Sequence, residues 1–126
     1  MTEHQQPADL VIEVRDVGTS VEIAVSGELD IATAPALRRE VAGVLGAHPE
    51  IAIVDLSGVE FIDSSGIHAL LASRSHALAA GTRLVVVRPG GAADRAFELS
   101  GLAEVFPCLE QPEPAADGAQ QPMPAL

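Results

Sequence analysis

The chain has no tryptophan, no tyrosine and no lysine, and only three phenylalanines and one cysteine among its 126 residues. Aromatics make up 2% of the residues and hydrophobics 48%, so a core has to be assembled from Val, Ile, Leu and Ala. The shortage of rings removes the stacking platforms on which single-stranded nucleic acids are held. Positive charge is also sparse: seven bases, all arginine, stand against 18 acids, for a net charge of −11. A surface of that sign repels phosphate backbones and anionic lipid, which argues against nucleic-acid partners and membrane docking. A basic patch on another protein is the complementary partner. A lone Cys108 excludes an internal disulfide and fits a reducing compartment. The start, "MTEHQQPADL", lacks the apolar stretch of a secretion signal, and no window reaches the length of a membrane span. Cytoplasmic residence without membrane insertion is the expectation.

What is present is the pattern of one α/β domain. "LVIEVRD" (10–16) and "SVEIAVS" (20–26) are rich in Val and Ile, and the glycine-bearing connector 17–19 joins them as an antiparallel hairpin. In the following segment Thr33 is the candidate N-cap and Pro35 fits a first turn. Leu37, Val41, Val44 and Leu45 then recur at helical spacing until Gly46 and His48-Pro49 stop the run. "IAIVDL" (51–56) is almost continuously apolar, the mark of a covered central strand. A second helix carries Ile67, Leu70, Leu71 and Leu78 on its stripe and ends at Gly81. "RLVVVR" (83–88) is another buried strand, 92–101 a short third helix, and "LAEVFPCL" a last edge strand or extended segment. Strands joined through helices run parallel and the first hairpin adds an antiparallel member, so a mixed sheet of about four to five strands is expected. The domain spans 10–109, between a flexible start (1–9) and a disordered Pro/Ala/acidic tail (110–126).

Two strand-to-helix junctions concentrate polar residues: "GELDIAT" (27–33) and "FIDSSGI" (61–67). In parallel α/β sheets, functional groups gather beyond the carboxyl ends of the strands. Both junctions lie on one edge of the sheet, and adjacency of their two strands would make Asp30 and Ser65 neighbours. Three readings of Asp63-Ser64-Ser65-Gly66 compete. The first is a helix cap, worth about 1 kcal/mol. Yet one cap needs one oxygen-bearing residue, not three. Gly66 also gives up about 1 kcal/mol of helix propensity against Ala, and offers room for something to approach the backbone. The second is a catalytic serine. The G-x-S-x-G elbow is absent, since Asp63 and Ile67 occupy its glycine positions around Ser65, and no positioned base is evident among His4, His48, His68 and His76. The histidines and single cysteine also lack metal-ligand spacing, so no metal or cofactor is expected. "RPGGAAD" (88–94) matches no phosphate-binding loop and reads as a turn. The third is a serine that another enzyme phosphorylates. The added charge of about −1.5 to −2 would meet free amides and the helix dipole, while Asp63 and Asp30 oppose it. Such a group changes surface charge and bulk with little change of fold, which an interaction switch requires.

In order and spacing, "GELDIATAPALRREV", "IVDLSGVEFIDSSGIHALL" and "LVVVRP" resemble the STAS domain of bacterial anti-sigma-factor antagonists, over roughly residues 10–109. The resemblance implies a STAS-like mixed sheet with helices packed mainly on one face, and a non-enzymatic, partner-switching role. The unmodified antagonist binds an anti-sigma factor that is also a GHKL-type serine kinase, freeing a sigma factor for transcription. Phosphorylation of the antagonist reverses the step, and a PP2C-type phosphatase resets it. The family's acceptor, the hydroxyl residue directly before the glycine, falls on Ser65, with Ser64 as the alternative. Asp63, Ser64, Gly66, Ile67 and His68 lie in or beside the motif, and Glu28, Asp30 and Thr33 in the upstream loop complete the implied docking surface. Ile67 stands where leucine is usual, and His68 where a small residue is common. The alternative function is an unphosphorylated STAS interaction module of a transporter or sensory complex.

Overall fold

The computed structural model describes residues 9–109. Strands β1 (Leu10–Val17) and β2 (Ser20–Leu29) form the expected hairpin, with Val17 paired to Ser20. Gly18 turns the chain at φ +72°, a conformation that glycine adopts without the Cβ clash other residues meet. Then follow α1 (Ala34–Leu45), β3 (Ile51–Ile62), α2 (Ser64–Ala80), β4 (Arg83–Val87), α3 (Gly91–Leu99), a single helical turn α4 (Leu102–Val105) and the two-residue strand β5 (Cys108–Leu109). The sheet order is β1-β2-β3-β4-β5, with β1 antiparallel to β2 and the remaining pairs parallel. The segment "LAEVFPCL" is thus a helical turn followed by a very short strand.

Alternation along the strands sorts the two faces of the sheet. Leu10 and Ile12, Ile23 and Val25, Ala52, Val54 and Leu56, and Leu84 and Val86 turn inward to one core, which the buried faces of α1, α2, α3 and α4 complete. The helices therefore cover one face. Their alternates, such as Val11, Glu13, Glu22 and Ile53, lie outside that core.

Two elements differ from expectation for identifiable reasons. Strand β3 does not stop at Leu56 but runs on to Ile62, and β2 runs on to Leu29. Register shifts between Ala24 and Ser26, and between Gly27 and Glu28, absorb extra residues of β3, the signature of bulges. A Cβ on Gly58 would come within 2.7 Å of the Ser26 Cβ, so the glycine lets the strands close at the bulge. Helix α2 is buried through Gly66, Ala69, Leu70, Ser73 and Ala77, not through a leucine stripe. Leu71 and Leu78 are exposed, the latter at 65%, while Leu70 is fully buried and Ile67 packs partly against the core, so the inward face mixes one leucine with small residues. Gly81 does end α2, in the left-handed conformation, its amide returning to the carbonyls of Ala77 and Leu78.

Of the expected flexible start, Asp9 lies within the described residues, and its carbonyl accepts the Glu28 amide at 2.9 Å. The rest of that start and the tail 110–126 lie outside them.

Candidate functional site

Because β2 and β3 are neighbours, the two polar junctions meet at one sheet edge. The Asp63 amide donates to the Leu29 carbonyl at 3.1 Å, stitching the end of β3 to the end of β2. One turn into α2, a Cβ on Gly66 would lie 2.8 Å from both the Leu29 Cγ and the Leu29 carbonyl oxygen. The room that Gly66 provides is therefore filled by Leu29 of the same chain. Its absent side chain sets how closely the serines approach the Asp30 loop.

At the start of α2 the capping residue is Asp63. Its Oδ1 accepts the amides of Ser65 at 2.9 Å and Gly66 at 3.1 Å, while its carbonyl accepts the Ile67 amide at 3.0 Å. The cap thus requires neither serine. Among the described residues, neither the Ser64 nor the Ser65 hydroxyl is hydrogen-bonded to another protein group, histidine included. Ser64 is exposed and Ser65 half-buried, on the first turn, with exposed His68 one turn further along. The same cap revises the expectation that a phosphate here meets free amides. Two of the first-turn amides already belong to Asp63, and the Ser64 amide is the one that this cap leaves.

The upstream loop is locked by its own polar side chains. The Thr33 hydroxyl donates to the Glu28 carbonyl at 2.7 Å and accepts the Asp30 amide at 2.9 Å. Asp30 Oδ1 in turn accepts the amides of Ala32 at 3.0 Å and Thr33 at 3.1 Å. Thr33 stands at the N-cap position of α1, but its side chain does not cap that helix. It is 1% exposed, and like buried Gly66 it contributes shape to the edge instead of a side-chain contact. What the loop turns outward is Ile31, 76% exposed, followed by Ala32. Phe61, 48% exposed, pairs with Glu28 across β2 and β3. Sequence reading passed over Leu29, Ile31 and Phe61. The available signal was an isoleucine held between Asp30 and Thr33, in a loop whose polar residues are consumed locally.

The predicted site residues Glu28, Asp30, Asp63, Ser64, Ser65 and His68 are all at least partly accessible, and Ile67 is half-buried against the core. Four acids and no Arg or Lys lie within 28–33 and 57–68. The glycine-bearing segment 88–94 is tied up by an ion-pair clasp. Arg88 binds the Asp94 carboxylate at 2.9 and 3.2 Å, contacts Glu98, and lies over the Phe97 ring 5.4 Å from its centroid. Hydrogen bonding to Asp94, then to Glu98, holds that guanidinium above its ordinary pKa. Among the described residues no group of three or more His, Cys, Asp and Glu side chains is disposed to hold a metal ion, and no helix is long and apolar enough to cross a membrane.

Comparison with known proteins gives a consistent result. The STAS domain family model matches residues 11–115. The anti-sigma-F factor antagonist RsfB of Mycobacterium tuberculosis is 29% identical over 100 residues, covering 79% of this chain and 81% of the relative. The crystal structure of an anti-sigma factor antagonist from Mycobacterium paratuberculosis superposes with a TM-score of 0.72 at 33% identity, over 82% of this chain and 89% of that one. The anti-sigma factor antagonist SpoIIAA in its unphosphorylated form shares the fold, with a TM-score of 0.68 at 22% identity over 86% of this chain and 96% of that one.

Proposed function

From the premise that this chain belongs to the STAS domain family, we propose that it is an anti-sigma-factor antagonist. In its unmodified form it binds an anti-sigma factor through the edge built by Asp30–Thr33 and Asp63–His68, and so releases a sigma factor for transcription. The antagonists from the two mycobacteria support the partner class. The partner is a GHKL-type serine kinase that phosphorylates Ser65, a PP2C-type phosphatase reverses the modification, and the exchange takes place in the cytoplasm. The chain itself holds no catalytic role and no cofactor: nucleotide and metal belong to the kinase.

The observation that carries this reading is the state of the two serines. Asp63 caps α2 through its side chain, and among the described residues neither hydroxyl of the first turn has a protein partner, with Ser64 exposed and Ser65 half-buried. A buried or hydrogen-bonded serine would point to stability; an unused hydroxyl at a rigid helix start is suited to receive a phosphoryl group. The phosphate brings charge of about −1.5 to −2 to an edge that already carries Asp63 and Asp30, so the modified edge differs sharply in charge and hydration from the unmodified one.

The test uses the full chain and each purified GHKL-type anti-sigma factor of the source organism. Ser65→Ala is expected to bind like the wild type, Ser65→Glu weakly, and mass spectrometry after incubation with ATP to map phosphate to Ser65 rather than Ser64. Equal binding by all three forms, with no phosphate incorporated, would reject the switch in favour of a constitutive STAS interaction module.

A further inference from the structure

Building on the docking role proposed above for the Ser65 edge, we infer that Ile31 is the apolar anchor of that interface, supported by Phe61, and that it enters an apolar pocket of the anti-sigma factor whose border carries Arg or Lys. Two features of Ile31 separate it from an incidental surface hydrophobe. It is 76% exposed, so about three-quarters of its surface is available for burial in a partner. Its backbone is also immobilised on both sides, by the amides that Asp30 Oδ1 collects from Ala32 and Thr33 and by the Thr33 hydroxyl bridging Glu28 and Asp30. A large apolar side chain on a fixed backbone loses little chain entropy when it docks, and such preorganised residues carry a disproportionate share of binding energy. The bonds of Asp30 and Thr33 to the loop's own backbone thus assign them to aiming Ile31.

Phe61 adds a second exposed apolar surface where β3 approaches the cap of α2. The charged residues of the two segments that carry them, 28–33 and 57–68, have one sign: Glu28 and Glu60 are exposed, and Asp30 and Asp63 half-buried. A basic border on the partner therefore attracts this edge at long range and sets the encounter rate. A phosphate on Ser65 acts at contact distance instead. A dianion on Ser65, on the edge that carries the anchor, faces the apolar wall of that pocket and not its basic border, and stripping its water there costs far more than burying one isoleucine returns. The single phosphoryl group then works against the strongest contact, not against a rim charge.

The experiment compares wild type, Ile31→Ser, Phe61→Ser and Ser65→Glu against the purified GHKL-type anti-sigma factors, by calorimetry at low and high salt, with thermal unfolding of each variant as a control. Ile31→Ser is expected to keep the wild-type melting temperature, since the side chain supports no core contact, and to bind about tenfold or more weaker, as hot-spot truncations do. That loss should persist at high ionic strength, where surface charge is screened. Ile31→Ser binding within about twofold of wild type, while Ser65→Glu loses binding, overturns the anchor and leaves the phosphorylation switch standing. Failure of the wild type itself to bind any of these anti-sigma factors overturns the switch, and the anchor with it.

Discussion

Gly66 packs so closely on Leu29 that a Cβ at position 66 would lie 2.8 Å from the Leu29 carbonyl oxygen. This contact joins the two halves of the site, since Leu29 precedes Asp30 and Gly66 follows Ser65. Gly66→Ala would ordinarily gain up to about 1 kcal/mol of helix propensity. Here it must displace backbone, and overpacking of that kind costs about 1–3 kcal/mol. A net loss of roughly 1–2 kcal/mol is expected in urea unfolding, together with weakened partner binding as the serines move off the Asp30 loop. A stabilised Gly66→Ala protein would show that the junction is not tightly packed.

Thr33 holds the upstream loop through its hydroxyl, so Thr33→Val keeps the shape and removes the bonds. The Glu28 carbonyl then loses this donor and the Asp30 amide this acceptor, and as both bonds are part-buried the cost is about 0.5–1.5 kcal/mol for each. Hydrogen exchange should quicken at the amides of Asp30, Ala32 and Thr33. Unchanged exchange there would mean that the loop is ordered by something other than this hydroxyl.

Asp63 and a phosphoryl group on Ser65 compete for the same helix terminus. In the unmodified protein Asp63→Ala removes the cap and should cost about 0.5–2 kcal/mol. In the phosphorylated protein the same substitution removes a like charge and vacates the Ser65 and Gly66 amides, so its cost should shrink or change sign. Urea unfolding of the four forms gives the coupling directly. Strict additivity would mean that carboxylate and phosphate do not sense each other.

Burial, which outweighs the favourable charge of Arg88, pushes the Cys108 thiol above its ordinary pKa, and its Sγ lies 3.4 Å from the Phe106 carbonyl. The unfolded chain therefore releases this proton before the folded one does. The associated stability is intact below the ordinary thiol range of about 8.5 and declines as pH rises through it toward the folded value. Cys108→Ser should flatten that decline. Alkylation by iodoacetamide near pH 8 should be slower in the folded protein than in urea, and equal rates would contradict the shift.

Much of this architecture was open to reading from the amino acids in order. Alternation along Val21, Ile23 and Val25 marked a strand covered on one face, the spacing of Leu37, Val41 and Leu45 marked α1, and Gly81 marked the end of α2. Each reports a property decided within a few residues. The bulged half of β3 was not legible, because Ser57-Gly58 ends a strand or bends it according to what lies alongside, and what lies alongside is Ser26. The buried face of α2 was misread for a similar reason. With leucines and alanines both available, the distance to the neighbouring elements decides which of them goes inward.

By itself the amino-acid sequence determined that this is a mixed α/β domain, that its core is mainly aliphatic, with Phe97 and Phe106 the aromatic exceptions, and its surface acidic, and that two polar junctions fall beyond the ends of strands running the same way. Those outcomes follow from local propensity, side-chain period and charge count, none of which requires knowing a distant neighbour. Only the tertiary structure decided that Asp63 and not a serine caps α2, that the space at Gly66 belongs to Leu29, and that Asp30 and Thr33 bond the loop's own backbone while Ile31 faces solvent. Each of these depends on which of several competent groups lies within reach once the strands and helices are packed, and that is a property of the packed chain.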